Sequence, residues 1–183
     1  MAIDALLSRR TVRQYTGDPI PKDQLKSIEK AVLHSPTARN QQGCSYVFVT
    51  NKAKLDQITA ACLNAFEPAQ REYFETRPEG EGTRNKITGD APLVVFVHTN
   101  ERASPPFDKV DAGVAVCSVC VAASEFGLST MIIGAYKAAE GEWERIIDIP
   151  PKSFVIAVAV GKAIADPVLR EKGPSLAKVT FIE

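Results

Sequence analysis

The sequence predicts a layered α+β fold, a sheet covered by helices on both faces. Three observations predict it. Helix-like segments lead the chain, apolar strand-like runs then alternate with helical ones, and the length suits a single core. At 183 residues the chain is about one domain's worth, residues 1–183 forming one unit. That length can bury roughly 70% of the unfolded surface without disulfide or metal staples. With 45% hydrophobic and 24% charged residues, neither disorder nor a fibrous protein fits.

The elements follow in order. Ala2 to Arg9 reads as a short helix with Ile3, Leu6 and Leu7 on one face. Asp18-Pro19-Ile20-Pro21 is a turn, and Leu25, Ile28 and Val32 recur at helical spacing between Lys22 and His34. Pro36 ends that helix by restricting Ser35. Ser45 to Thr50 is β-branched and aromatic, hence a strand, and Asn51 caps a third helix carrying Leu55, Ile58 and Cys62. Residues 64–89 mix aromatics, charges and Gly80-Glu81-Gly82, which predicts a partly helical excursion with a mobile tip.

Ala91 to His98 is nearly all apolar, a strand buried on both faces. Val110 to Phe126 is the most apolar helix, stopped by Gly127. A helix apolar all round needs partners on several sides, so it lies in the core or at a subunit interface. Ser129 to Ile133 is a strand ending at Gly134, Glu140 to Ile147 a short amphipathic helix, and Phe154 to Val160 a fourth strand. From Ala165 the chain turns polar, closing in the β-prone Val179-Thr180-Phe181-Ile182.

Composition excludes several functions. Lys+Arg and Asp+Glu are both 22, and this balance argues against a nucleic-acid binder. No apolar run approaches the roughly 20 residues that span a bilayer. Met1 to Arg10 lacks a signal-peptide core, and four cysteines do not make a secreted disulfide framework. The expectation is a cytoplasmic protein.

The common catalytic signatures are missing. No G-x-G-x-x-G follows a strand and no phosphate-loop motif occurs. The two histidines, His34 and His98, come without a G-x-S-x-G elbow. Cys117-x-x-Cys120 lies inside the apolar helix with no second ligand pair, so both cysteines read as small core residues and no metal is expected. Glu140, Glu142 and Glu144 read as a solvated helix face.

Four segments stand out instead. Ser8-Arg9-Arg10-Thr11-Val12-Arg13 places three guanidinium groups and a hydroxyl after the first helix. Arginine's planar fork suits phosphate oxygens or a heteroaromatic edge, though a surface basic cluster would look the same. Pro36-Thr37-Ala38-Arg39-Asn40-Gln41-Gln42 offers amides along a loop, as a ligand rim or as a plain polar loop. Gly134 follows a strand where backbone could approach a ligand closely. Arg170 and Lys172 add two late cations.

In this order and spacing the four segments resemble the nitroreductase family of FMN-dependent oxidoreductases, over essentially the whole chain and least over 64–89. The resemblance implies a three-layer αβα fold with a central mixed sheet, assembled as an obligate homodimer with FMN at the subunit interface. It implies that Arg9 meets the phosphate, that Arg10 and Thr11 lie along the flavin and ribityl chain, and that Arg13 sits at the N1/O2 edge. Pro36, Thr37, Ala38, Asn40 and Gln42 match the loop that reaches the other subunit's FMN, with Thr37 where serine is usual. The backbone of Ile132, Ile133 and Gly134 would face the N5 and O4 side. Arg170 and Lys172 would complete the phosphate site, within a 165–183 tail that also packs on the partner. The helix containing Val114 to Ala123 matches the dimer core. Gly43-Cys44 replaces the Pro-Trp of many members.

The implied function is ping-pong hydride transfer from NADH or NADPH, through flavin N5, to a small electron-poor acceptor of the nitroaromatic or quinone class. Three arginines with Lys172 more than offset the roughly −2 charge of a phosphate monoester, leaving a cation for the N1/O2 edge. No side chain is nominated as nucleophile or acid–base catalyst. Two alternatives stay open at this level. One is a non-catalytic FMN-binding protein, or another flavin chemistry such as dehydrogenation or dehalogenation, on the same fold. The other is a cofactor-free dimeric interaction domain.

Overall fold

The sheet owes its layering to one strand whose first five side chains are all apolar. The computed structural model describes residues 2–182. In it strand β2 (Leu93–Thr99) sends Leu93, Val95 and Val97 into one core and Val94 and Phe96 into another, all five fully buried. A strand covered on both faces needs this continuous apolar run. It is flanked by β1 (Cys44–Val49) and β4 (Phe154–Gly161), with β3 (Ser129–Ile133) outside β4, giving the order β1-β2-β4-β3.

One face carries α2 (Lys22–Leu33) and α5 (Phe107–Ser124), which bury Ile28, Val32, Ala115, Val116 and Val119 against it. The opposite face carries α3 (Lys52–Ala65), whose Asn51 cap accepts the Lys54 N–H at 3.1 Å. There Phe96, Tyr136, Trp143 and Phe154 pack with ring centroids 5.0 to 6.3 Å apart. These three layers match the α+β expectation.

Four details differ from it. The sheet is not mixed: all three ladders are antiparallel, and the one parallel pairing among the described residues is the isolated bridge Thr11↔Thr130. The crossover β2–α5–β3 does make β2 and β3 run the same way, but β4 lies between them. Second, α5 is not covered all round within one chain, since its apolar Phe107, Val110 and Cys117 are exposed. Third, Glu140 to Ile147 is no α-helix. Short 3₁₀ turns at Ala135–Ala139 and Glu144–Ile147 flank Gly141, which has φ +102. Glu144 is buried rather than solvated, and its carboxylate accepts the Gly141 N–H at 2.7 and 2.8 Å. Fourth, the excursion is tied down by hydrogen bonds around its exposed Glu81-Gly82 tip. α4 (Pro68–Thr76) and a 3₁₀ turn (Pro78–Gly80) lead to Asp90, whose carboxylate accepts the Arg84 and Asn85 N–H groups at 2.8 and 2.9 Å. After β4 no helix or strand follows among the described residues, and Val179, Phe181 and Ile182 are exposed.

Candidate functional site

The leading arginines reach their place because the first helix is short. α1 (Ala2–Ser8) closes with the Arg9 N–H on Ala5 O at 3.0 Å, and the next residues run extended, gripped on both sides. Val12 N–H donates to Thr130 O at 3.3 Å, Tyr15 N–H to Gly89 O at 2.9 Å, and Tyr15 bridges Ala163. Gly89 is required there: its φ is +67, and an added Cβ would stand 2.2 Å from Arg13 O. Val12 and Tyr15 point into the core, which leaves Arg9, Arg10, Thr11 and Arg13 half-buried at the surface.

The tail closes over them. Arg10 donates to Arg170 O, and Lys172 Nζ donates to Leu7 O at 3.4 Å. Arg9, Arg10, Thr11, Arg13, Arg170 and Lys172 then line one cavity of about 240 Å³, with Leu6 and Glu171. An adjoining cavity of about 360 Å³ shares Arg9 and Arg10 and continues along Val12, Cys120, Ser129 and Thr130. Arg170 comes with its charge matched. It donates to the Glu79 carboxylate and to Tyr73 Oη, the latter at 2.7 Å. The Arg170 hydrogen bond holds the Glu79 carboxyl below the usual range, with the Arg13 charge assisting.

Beside this cavity lies the outer edge of β3. Thr130 turns its C=O outward to Val12, and strand alternation gives Ile132 the same outward backbone direction. From Met131 onward no described strand pairs with that edge. Ile133 is placed differently: its side chain is buried and its backbone faces β4, so the backbone turned outward at this edge is that of Ile132. The protein itself does not demand glycine at 134, where an added Cβ would meet Ile156 Cδ1 at 3.8 Å.

The amide loop is elsewhere. Arg39, Asn40 and Gln42 have φ of 54, 53 and 54, left-handed values that cost energy for residues with a Cβ. Hydrogen bonds from outside and within the loop hold them. The Asp111 carboxylate on α5 accepts the Ala38 N–H at 2.9 Å, Thr37 Oγ1 accepts the Gln42 N–H at 3.0 Å, and Asn100 Nδ2 donates to Gln42 O at 3.0 Å. Thr37 and Gln42 line a separate cavity of about 860 Å³ with α2 and β1 side chains. None of Pro36, Thr37, Ala38, Asn40 and Gln42 lines the arginine cavities. Within one chain the structure does not bring the two groups together.

The remaining reactive side chains lie outside the arginine cavity, apart from Cys120 at its adjoining pocket. Cys44 is buried, and its thiol is pushed up to about 11 by burial and then by Asp111 and Asp108. Burial likewise pushes the Tyr15 phenol up. The His34 and His98 rings bond to the Lys30 and Thr99 carbonyls at 2.7 and 3.0 Å. Cys120 packs in the core while its neighbour Cys117 is exposed. Sequence reasoning missed Gln14, Tyr73, Glu79 and Asp111, each of which acts on a residue remote in the chain.

Comparison with known proteins adds the family context. The pattern described as "Nitroreductase family" matches residues 6–162. A Bacillus subtilis (strain 168) protein named FMN reductase [NAD(P)H] is 28% identical over 95% of this chain and 69% of its own length. A Vibrio harveyi NADPH-flavin oxidoreductase is 22% identical over 94% and 70%. A nitroreductase with bound FMN from Desulfitobacterium hafniense superposes with a TM-score of 0.82 at 19% identity, covering 100% of this chain and 98% of that one. Its counterpart from Bacteroides fragilis superposes at 0.77 with 21% identity, over 100% and 98%.

Proposed function

Because the chain belongs to the nitroreductase family, we propose that it is an FMN-dependent oxidoreductase that moves hydride from NADH or NADPH to a small electron-poor acceptor. The nitroaromatic and quinone classes are the acceptors this reading favours. The observation that carries it is the convergence of Arg9, Arg10, Arg13, Arg170 and Lys172, from the two ends of the chain, on one cavity. Setting Glu171 and Glu79 against them leaves an excess of three positive charges. That suits a phosphate monoester of roughly −2, with a cation to spare. The names of the curated relatives, a flavin reductase and a flavin oxidoreductase using NAD(P)H or NADPH, support the same cofactors.

FMN, when bound, supplies a hydride acceptor and donor at N5. This chain's residues bind it and set its electrostatics. Arg9, Arg10 and Lys172 hold the phosphate, Thr11 adds a hydroxyl, and the outward backbone of Ile132, with Gly134, meets the flavin edge. Arg13 provides a positive charge where negative charge arrives with the hydride. No side chain is assigned as acid or base in this reading, and burial pushes the Cys44 thiol and the Tyr15 phenol up.

The site is completed by a second copy of the chain. Pro36, Thr37, Ala38, Asn40 and Gln42 are held in shape but away from the cradle, so they serve the partner's cofactor. Apolar surface for the pairing is present on α1, where Ile3, Leu6 and Leu7 are exposed, and on α5, where Phe107, Val110 and Cys117 are. The exposed Leu176, Val179, Phe181 and Ile182 let the 165–183 tail pack on the partner as well.

An anaerobic titration of the FMN-loaded protein with NADH and with NADPH tests the reading. Bleaching of the flavin absorbance by at least one nicotinamide, and its return on adding a quinone, is expected. A flavin band that neither nicotinamide bleaches would overturn the enzyme and leave a flavin carrier.

A further inference from the structure

Gln14 follows the arginine motif directly and is buried, at 7% exposure. Its amide is used at both ends. Nε2 donates to Glu81 O of the excursion at 3.0 Å, and Oε1 accepts the Val168 N–H of the tail at 2.7 Å. The two partners also settle the amide's orientation, since a flipped group would set NH₂ against N–H and oxygen against C=O. Its backbone carbonyl accepts the Ile164 N–H at 3.2 Å. Nothing in the tail after β4 is helix or strand among the described residues, so its path depends on such ties.

The bonds close a ring. From Gln14 the chain of contacts runs to Val168, two residues on to Arg170, across to Glu79, two residues on to Glu81, and back to Gln14. Arg13 precedes Gln14, and Lys172 follows Val168 by four residues. The same amide therefore ties the tail, which carries one wall of the cationic cavity, to the segment that follows the arginines and to the excursion. We infer that Gln14 is a positioning residue for the cofactor: it sets the tail's path before the anion arrives, so that Lys172 meets the phosphate without a further ordering cost. This rests on the proposed FMN site. Gln14 itself touches no cofactor and supplies no charge.

The test is a double-mutant cycle read as FMN affinity, by quenching of flavin fluorescence on apoprotein. In the wild type, Lys172→Ala weakens FMN about tenfold, and in a Gln14→Leu background less than about twofold. Arg9→Ala, which lies on the other wall, costs the same in both backgrounds. General destabilisation would change both costs alike. An equal cost of Lys172→Ala in the two backgrounds would overturn the inference, whereas a wild-type protein that takes up no FMN would overturn the site itself. Hydrogen exchange at the Val168 amide of the unmutated protein gives a reading that does not depend on the variant folding. Protection already present without FMN is expected, and protection that appears only on FMN binding would refute prior positioning.

Discussion

The arginine cradle and the amide loop are both polar, yet they are held in opposite ways. The cradle is drawn from residues 9–13 and 170–172, and its integrity depends on bonds between segments some 160 positions apart. The loop spans seven residues and carries three non-glycine residues in left-handed geometry, tied down by its own Thr37 and by Asp111 and Asn100. One region gathers charge; the other stores local shape. The cradle can grip an anion by itself, while the loop lines a different cavity and offers only neutral groups. In the proposed dimer each chain would hold half of two sites, as the isologous symmetry of a two-fold dimer allows.

The strongest way to break the comparison is to spoil the halves separately. Arg9→Ala is expected to abolish FMN retention through gel filtration, and the pair Asn40→Ala with Gln42→Ala to weaken it severely. Mixing the two variants under conditions that exchange subunits should restore about a quarter of the wild-type FMN content, because half of the dimers are mixed and each mixed dimer has one intact site. If cradle and loop served the same chain's cofactor, no mixed dimer would hold an intact site and nothing would be restored.

A finer measurement separates grip from tuning within the cradle. Arg13 is the arginine assigned to the reacting end, so Arg13→Ala should keep much of the FMN but lower its two-electron reduction potential. A drop of about 30 mV would correspond to roughly 1.4 kcal/mol. Dye-equilibration potentiometry on the loaded variant checks it, with stopped-flow reduction expected to slow. An unchanged potential would return Arg13 to the phosphate-holding group.

Much of the fold was legible because its signals are local. Val94 to Val97 announces a strand buried on both faces, Asn51 a helix cap, and Gly127, with φ +67, a helix stop. The clustered arginines and the amide loop were legible as motifs for a similar reason, each being a short run. What escaped was carried by partners far apart. The Glu144 carboxylate looks solvated in a run of glutamates, but folds back onto Gly141. Gln14 looks like any polar residue after a basic cluster until Glu81 and Val168 stand on either side of it. The antiparallel ladders depend on β4 entering between β2 and β3, an event nothing in the strand sequences signals.

The smallest expected effect concerns the tie between the tail and the excursion, the Glu79–Arg170 pair. Glu79 is buried on the excursion, and the charged groups bearing on it are Arg170 first, then Arg13. Its folded pKa lies below the ordinary glutamate value. The pair therefore contributes fully above about pH 4.3, and that contribution is lost as pH falls through the lower, folded value. Arg170 stays charged throughout, its guanidinium pushed up by the Glu79 and Tyr73 hydrogen bonds. Because the Arg170 side chain is 53% exposed, solvent screening limits the pair to under about 1 kcal/mol, or about 2–4 °C in Tm for a chain of this size at most. Wild type should thus melt slightly above Glu79→Gln at pH 7, and the gap should close as pH falls from about 4.3 through the lower, folded value. A gap of constant size over that interval would mean that hydrogen bonding, which glutamine retains in part, rather than charge ties the tail to the excursion.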